Sequence, residues 1–429
     1  MKEGQPMKTE QRTDRLYQHA KEVYGDYGVN TDEVLAQLAS IPISLHCWQG
    51  DDVGGFENAG EGLSGGGIMA TGNYPGKARN GEELRRDLER AMSLIPGKTR
   101  LNLHAIYAEF SGKKVERDQL TIDHFRNWLD WAKQKGVGLD FNPTFFSHEL
   151  AGSGYTLSSN NPEIRSFWVE HAKRCREIAA VLGRELGSPT VNNIWIPDGS
   201  KDLPVDRLGP RIRLKESLDE IFAVPYDRQH LVDAVESKLF GIGSEAYVVG
   251  SHEFYMGYVM QNEVVPCLDM GHFHPTEGIA DKVTALRTFG KNILIHVSRG
   301  VRWDSDHVAL LNDDLIALAL ELKRSDSLAR VYFALDFFDA SINRITAWVT
   351  GARALLKALL FALLEPTDLL AQAEKSGNYG DRLALMEEFK ALPWGAVWEH
   401  HCQNQAMPGG AEWLRNVNDY AAGVLAKRR

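Results

Sequence analysis

Eight short β-rich runs recur along this chain, each followed by a polar loop and then an amphipathic helical stretch. The runs are 43–49, 100–107, 138–145, 191–198, 232–239, 265–273, 292–299 and 330–338. Between them, segments such as 82–95, 163–186, 210–221 and 311–324 carry apolar residues at three- and four-residue spacing, the period of a helix with one buried face. Strands that alternate with helices predict a parallel sheet. Eight such units predict an α/β protein closed into a (β/α)8 TIM barrel, in preference to an open doubly wound sheet. The barrel is expected over 15–350, after an N-terminal lead, 1–14, that is disordered. A helical C-terminal extension should follow over 351–429, where ARALLKALLFALL is apolar around most of its circumference and must be buried, in the last barrel helix or in a subunit contact.

Polar residues gather toward the C-terminal ends of the runs. His46, Trp48 and Gln49 close the first; His104 and Tyr107 the second; Asp140 and Asn142 lie on the third, and Trp195 and Asp198 on the fourth. Glu236 and Lys238 follow on the fifth, Asp269 and His272 on the sixth, and His296 and Asp336 on the last two. Barrel enzymes build their sites at this face, so separated segments should converge there. The Gly-rich stretch 50–76 is too long for a routine βα loop and reads as a lid, with Val53, Phe56, Leu63, Ile68 and Met69 as packing residues.

Several of these polar groups are ligand types for a divalent cation. Between 266 and 306 the chain reads PCLDMGHFHP, NILIHVSRG and VRWDSDHV. Glu236, Asp269, His296 and Asp336 each sit on an apolar β run, and buried carboxylates repel one another unless a cation or partner compensates. Lys238, Arg299 and Arg302 are too few to neutralise them all. Asp304 and Asp306, two apart, project to one side of an extended segment and could chelate together, although taken alone such a triplet is better explained as a solvated turn or helix N-cap. His272 joins the set, while His274 reads as a hydrogen-bonded core residue that binds no metal. Oxygen-rich ligation with one imidazole per site suits Mn²⁺, Mg²⁺ or Co²⁺.

Composition excludes other classes. A net charge of -10 argues against nucleic acid, whose phosphates need concentrated Lys and Arg. No run approaches the ~20 apolar residues of a membrane span, and the start lacks the apolar stretch of a signal peptide. Cys47, Cys175, Cys267 and Cys402 are widely spaced, as expected of reduced thiols in a cytoplasmic protein. The Gly-rich GEGLSGGG lacks the ending of a phosphate loop, and no GxSxG elbow accompanies Ser298 or Ser305.

The stretches HCWQGDDVGGFE (46–57), ATGNYPGKARN (70–80), LDFNPTFFSH (139–148), DAVESKLFGIG (233–243), GHFHPTE (271–277), VRWDSDHV (301–308) and LDFFDASINRI (335–345) resemble the L-rhamnose isomerases, bacterial aldose-ketose isomerases. The resemblance runs from about residue 15 to the C-terminus. It implies a (β/α)8 barrel, a homotetramer and two divalent ions per subunit, usually Mn²⁺, with Co²⁺, Mg²⁺ or Zn²⁺ as alternatives. By the same resemblance His272, Asp304 and Asp306 hold a catalytic metal, and Glu236, Asp269, His296 and Asp336 a structural one. Val53, Leu63, Ile68, Ile106, Tyr107 and Trp195, together with His104, line a substrate pocket with an apolar wall for the sugar's methyl group. Lys238 either stabilises developing negative charge or neutralises the acidic cluster. The expected reaction is a metal-assisted 1,2-hydride shift between L-rhamnose and L-rhamnulose, with proton transfer through an enediol as the rival. Two alternatives are a metal-dependent sugar epimerase on the same barrel and a non-catalytic sugar-binding protein using Trp48, Trp195 and Phe338 as platforms.

Overall fold

The computed structural model describes residues 9–57, 70–238, 246–274, 276–301 and 306–428. Ten strands occur among them: β1 (Pro42–His46), β2 (Lys98–His104), β3 (Gly138–Asn142), β4 (Thr190–Ile194), β5 (Gly199–Ser200), β6 (Leu231–Glu236), β7 (Tyr247–Val248), β8 (Val265–Asp269), β9 (Ile293–Val297) and β10 (Val331–Leu335). Eight of them close into a barrel in the order β1-β10-β9-β8-β6-β4-β3-β2, every pair parallel. β5 and β7 form a separate antiparallel pair. The expected barrel is therefore present, and each of the eight runs supplies one strand. The strands stop earlier than the runs do. His46 pairs with Asn102 and His104 with Asn142, and the next residues turn into short 3-10 segments at Cys47–Gln49 and Ala105–Tyr107. The polar tails of the runs have left the ladder to form the loops above it.

The helices between strands form because their apolar stripes face the barrel and their first turns are capped. Asn80, Asn161, Asn312 and Asn343 each accept a backbone N–H from the helix they precede, satisfying donors that would otherwise have no partner. The helix Pro162–Leu186 ends on Gly187 at φ 61°, a left-handed cap that a side chain would disfavour. Near its end Gly183 touches the barrel directly: an added methyl would lie 1.9 Å from the His230 carbonyl oxygen.

Helix Arg344–Leu363 is the most deeply buried. It is long and apolar enough to cross a membrane by length and composition, contrary to the sequence reading, but 78% of its most apolar window is buried inside the protein. It is the barrel's last helix: Trp348 donates to the His46 carbonyl at the end of β1 at 2.8 Å. It also runs through residue 350, so the expected boundary there falls inside one element. The helices Thr367–Lys375, Tyr379–Glu388, Trp394–Asn404 and Trp413–Gly423 follow it. Arg428 returns the chain to the barrel through Asp87 at 2.5 and 2.8 Å. At the other end, a helix spans Thr9–Asp26 and so begins inside the stretch expected to be a lead. Its buried residues Tyr17, Ala20 and Tyr24 give it a face to pack, and Tyr17 stacks on His400 at 3.7 Å.

Inside the barrel the two-residue strand period sorts side chains into layers. On β6, β8, β9 and β10 the inward residues are apolar at the bottom and middle, where Val232, Ala234, Val265, Cys267, Leu294 and Ala334 form one cluster. Continuing each stripe by two residues gives Glu236, Asp269, His296 and Asp336. The opposite half is polar lower down: Arg100 pairs with Asp140 at 2.8 Å, and Ser44 donates to the same carboxylate at 2.6 Å. A cavity of about 40 Å³ lies there, lined by these groups with Asn102 and Asn193, enough for ordered water.

The close approach at Gly183 gives a test of this packing. Gly183→Ala should destabilise the protein by about 3 kcal/mol through overpacking, lowering the thermal midpoint. Gly257→Ala, at a helical glycine with open space around it, should instead raise stability by about 0.5–1 kcal/mol.

Candidate metal centre

Glu236, Asp269, His296 and Asp336 arrive from β6, β8, β9 and the residue after β10, and each offers a ligand atom within 4.8 Å of the others. A second group, Asp269, His272 and Asp306, meets the same criterion and shares Asp269 with the first. His272 follows β8 by three residues in the loop above it. Asp306 sits at φ 40°, its carbonyl accepting from the Phe338 N–H at 3.2 Å. Asp304 lies outside the described residues.

Each carboxylate in the first group has one oxygen held by a hydrogen-bond donor and the other turned toward an imidazole. Asp269 Oδ1 accepts from the Gly271 N–H at 2.6 Å and the Ser298 hydroxyl at 2.8 Å. Asp336 Oδ1 accepts from the Trp48 indole at 3.0 Å, and Glu236 Oε2 from the Asn193 amide at 2.5 Å. The remaining Asp336 and Asp269 oxygens face one imidazole, His296 Nδ1 lying 3.0 Å from Asp336 Oδ2 and 3.7 Å from Asp269 Oδ2. Glu236 Oε1 instead lies 3.0 Å from His272 Nδ1, and Glu236 Oε2 is 3.3 Å from His296 Nδ1. Glu236 Oε1, Asp269 Oδ2 and both ring nitrogens of His296 are buried without a hydrogen-bond partner. Such atoms cost free energy unless something else engages them, and this donor set fits a divalent cation. His272 Nδ1 is 2.9 Å from the Ser237 carbonyl. A carbonyl can only accept, so Nδ1 carries the proton and Nε2 keeps the lone pair a cation needs.

The electrostatics describe one unsolved charge problem. Burial, reinforced by the Asp336 and Glu236 charges, pushes Asp269 up to about 7. Burial would also raise Glu236, yet the His296 and His272 rings hold it well below the carboxylate range. Burial opposes a charged His296, but Cys267, Glu236 and Asp336 raise it well above its usual value. The same acidic surroundings that favour a charged His296 would favour a bound cation.

Two of the residues expected to line the pocket, His104 and Trp195, belong to an aromatic arc above the strand ends. Trp48, bonded to Asp336, lies edge-on to His104 at 4.8 Å; His104 meets Phe146 at 5.6 Å; Phe146 meets Trp195 at 5.9 Å. Lys238 Nζ then sits 4.4 Å from the Trp195 ring centroid. The arc runs from the loop after β1 through β2, the loops after β3 and β4, and ends just past β6. Burial depresses His104 to about 3, so its ring is neutral, with Nδ1 3.1 Å from the Thr144 hydroxyl. Val53 and Ile106 are buried. Val53 has φ 61°, unusual for a β-branched residue, as has Asp52 beside it. Arg344 clamps Asp52 with two 2.7 Å contacts, and the Val53 N–H bonds the Trp48 carbonyl, which fixes that conformation. Tyr107 is fully buried and its hydroxyl donates to Asp51 at 2.7 Å, so only its ring could line a pocket. Leu63 and Ile68 lie outside the described residues, as does the middle of the loop expected as a lid, 58–69.

His274 is apart from both groups and bonded to Thr276 as expected, but it is exposed and not a core residue, because it lies in the loop beyond β8. Asp198 and Asp140, read from sequence as members of the convergent face, serve the scaffold. Asp198 is fully buried and accepts from the backbone and hydroxyls of Thr156 and Ser158. Asp140 lies low in the barrel with Arg100. Asn193, Ser298 and Phe146 were missed. The strand period carried a signal for two of them: Asn193 is two before Trp195 and Ser298 two after His296, on the same inward stripes.

Asn193→Ala should weaken divalent-cation binding by about 10- to 100-fold, because Glu236 loses the group that orients it. Calorimetric Mn²⁺ titration of metal-free protein, with circular dichroism as the fold control, measures this; unchanged affinity would show that Glu236 is oriented without Asn193.

A family model described as L-rhamnose isomerase (RhaA) matches residues 11–428. The L-rhamnose isomerases of Salmonella paratyphi A and Salmonella typhimurium are each 56% identical over 415 residues, covering 97% of this chain and 99% of theirs. Among solved structures, an L-ribulose 3-epimerase superposes with a TM-score of 0.47 at 11% identity, over 69% of this chain and 96% of that one. A D-psicose 3-epimerase from Clostridium cellulolyticum H10 gives 0.43 at 15% identity, over 66% and 93%.

Proposed function

The chain belongs to the L-rhamnose isomerase family, and we propose that it performs this isomerisation as a 1,2-hydride shift at the barrel-top cluster. It is an aldose-ketose isomerase, converting L-rhamnose to L-rhamnulose and back. The epimerase weighed from sequence gives way to that membership. The observation that carries the hydride reading is the pair of ligand groups joined at Asp269, which suits two ions acting on neighbouring oxygens of one sugar. Divalent ions bound there, Mn²⁺ foremost, supply Lewis-acid polarisation of the sugar's carbonyl and hydroxyl oxygens.

The chain's own residues do the rest. Glu236, Asp269, His296 and Asp336 hold the structural ion; His272 and Asp306, with Asp304, hold the catalytic one. Lys238 follows Glu236 by two residues and brings a cation to the same rim, where it stabilises negative charge developing on a sugar oxygen. Trp195 and Phe146 cover that flank and keep water from it, while neutral His104 orients a hydroxyl. Val53 and Ile106, with Leu63, Ile68 and the Tyr107 ring, receive the C6 methyl. One such contact discriminates by about 1–3 kcal/mol, so sugars sharing the reacting end but not the methyl should turn over more slowly without being excluded.

The assembly reads as a homotetramer. Leu203, Val205, Leu208 and Ile212 expose apolar side chains along one segment, surface that another copy would cover. Four free, buried cysteines suit a reducing cytoplasm.

Running the isomerisation in D₂O separates the chemistries. A hydride shift leaves C1 of the ketose free of solvent deuterium by NMR, whereas substantial incorporation means proton transfer through an enediol. Exhaustive chelation should abolish turnover and Mn²⁺ should restore it; full activity after chelation would remove the metal role.

A further inference from the structure

Cys267 is the only described cysteine that enters a ligand cluster. It lies on β8 two residues before Asp269, so both side chains point into the barrel, with the thiol one layer lower. The β6–β8 register sets it directly opposite Glu236. Its sulfur, a Glu236 oxygen and a His296 nitrogen all lie within 4.8 Å of one another, and all three residues are buried. The neighbours at that level are Ala234, Leu294 and Ala334, none of which offers a competing donor. The other cysteines are placed differently: Cys175 lies beside His171, and Cys402 beside Arg353.

We propose that Cys267, Glu236 and His296 form a sulfur-bearing lower face of the barrel-top cluster that captures a thiophilic divalent cation, of the zinc or cadmium class, in competition with the cation used in isomerisation. This rests on the reading of Glu236 and His296 as cation ligands. Soft ions prefer thiolate and imidazole, whereas the upper face, rich in carboxylate oxygen, suits harder ones. A tetrahedral ion holds sulfur at about 2.3 Å and nitrogen or oxygen at about 2.0–2.2 Å, which puts ligand atoms roughly 3.3–3.8 Å apart. The three atoms, all within 4.8 Å of one another, reach that by drawing together by at most roughly 1–1.5 Å. The buried Glu236 Oε1 and His296 ring nitrogens make no aligned hydrogen bond and can supply two of the ligands, at the cost of the 3.0 Å contacts of Glu236 Oε1 with His272 Nδ1 and of His296 Nδ1 with Asp336 Oδ2. As the sulfur–metal bond forms, the thiol proton leaves to solvent and nothing is oxidised or reduced. An ion seated there draws His296 and Glu236 down from Asp336 and Asp269, so it inhibits the isomerase by withdrawing two ligands.

Cadmium titration of the metal-free, full-length protein tests this, read by the ultraviolet sulfur-to-cadmium charge-transfer band. Mn²⁺ binding is followed in parallel by the electron paramagnetic resonance of the free ion. The native protein should develop the band as bound Mn²⁺ is released. Cys267→Ala should lose the band and bind cadmium more weakly; Cys267→Ser, closer in shape, serves if the alanine variant fails to fold. Mn²⁺ binding with no cadmium band, or with an undiminished band in the variants, overturns the sulfur face alone. Failure of the native protein to bind Mn²⁺ overturns the cation site itself, and this proposal with it.

Discussion

Mutual repulsion among Glu236, Asp269 and Asp336 sets the terms for the upper half of this barrel. Two carboxylates at about 4–5 Å repel by roughly 3–4 kcal/mol at an effective dielectric of 20, so three fully ionised acids cost roughly 10 kcal/mol. That is comparable to the whole stability of an ordinary domain, about 5–15 kcal/mol. The structure meets the cost in part through neighbours: Asn193, Ser298, Gly271 and Trp48 each donate to one carboxylate oxygen. The remainder shows in the raised Asp269 and the raised His296, both consequences of acidic charges buried close together.

Barrel closure turns this local problem into an organised site. The ligands come from β6, β8, β9 and β10, and the aromatic arc from the ends of β1 to β4, so two halves of one circuit face each other across the mouth. Trp48 joins them by bonding Asp336. The apolar layer below the ligands keeps water from their undersides, while the polar half beneath the arc keeps its ion pairs satisfied internally. Remote elements hold the rim in place. Arg344 clamps the strained Asp52–Val53 turn, and Arg117 binds Glu57 together with the carbonyls of Thr144, Phe146 and Ser147.

Much of this was legible because it follows from periodicity. Helical and strand periods located eight units, and the position of Glu236, Asp269, His296 and Asp336 on apolar runs marked them as buried acids and a base needing compensation. The same reasoning overreached for Asp140 and Asp198. A polar residue on a strand is equally consistent with a site and with an internal hydrogen-bond anchor, and Asp198's partners, Thr156 and Ser158, lie some forty residues upstream. Asn193 went unnoticed because an amide carries no charge to explain, although its place on the inward stripe was readable. The helix Arg344–Leu363 was placed correctly as buried, but what covers it depends on elements at both ends of the chain.

By itself the sequence determined the barrel, its eight strands, the inward alternation and the identity of the metal-ligand candidates, because each depends on local period and residue chemistry. Tertiary structure alone decided which groups meet. It brought Cys267 opposite Glu236, set Lys238 over Trp195, used the Tyr107 hydroxyl for Asp51, and turned one oxygen of Asp269 and Asp336 toward His296 and one of Glu236 toward His272. The physical reason is that ligand geometry depends on separations of a few ångströms between strands far apart in the chain. Register, strand tilt and side-chain packing fix those separations, and no pattern within a single segment encodes them.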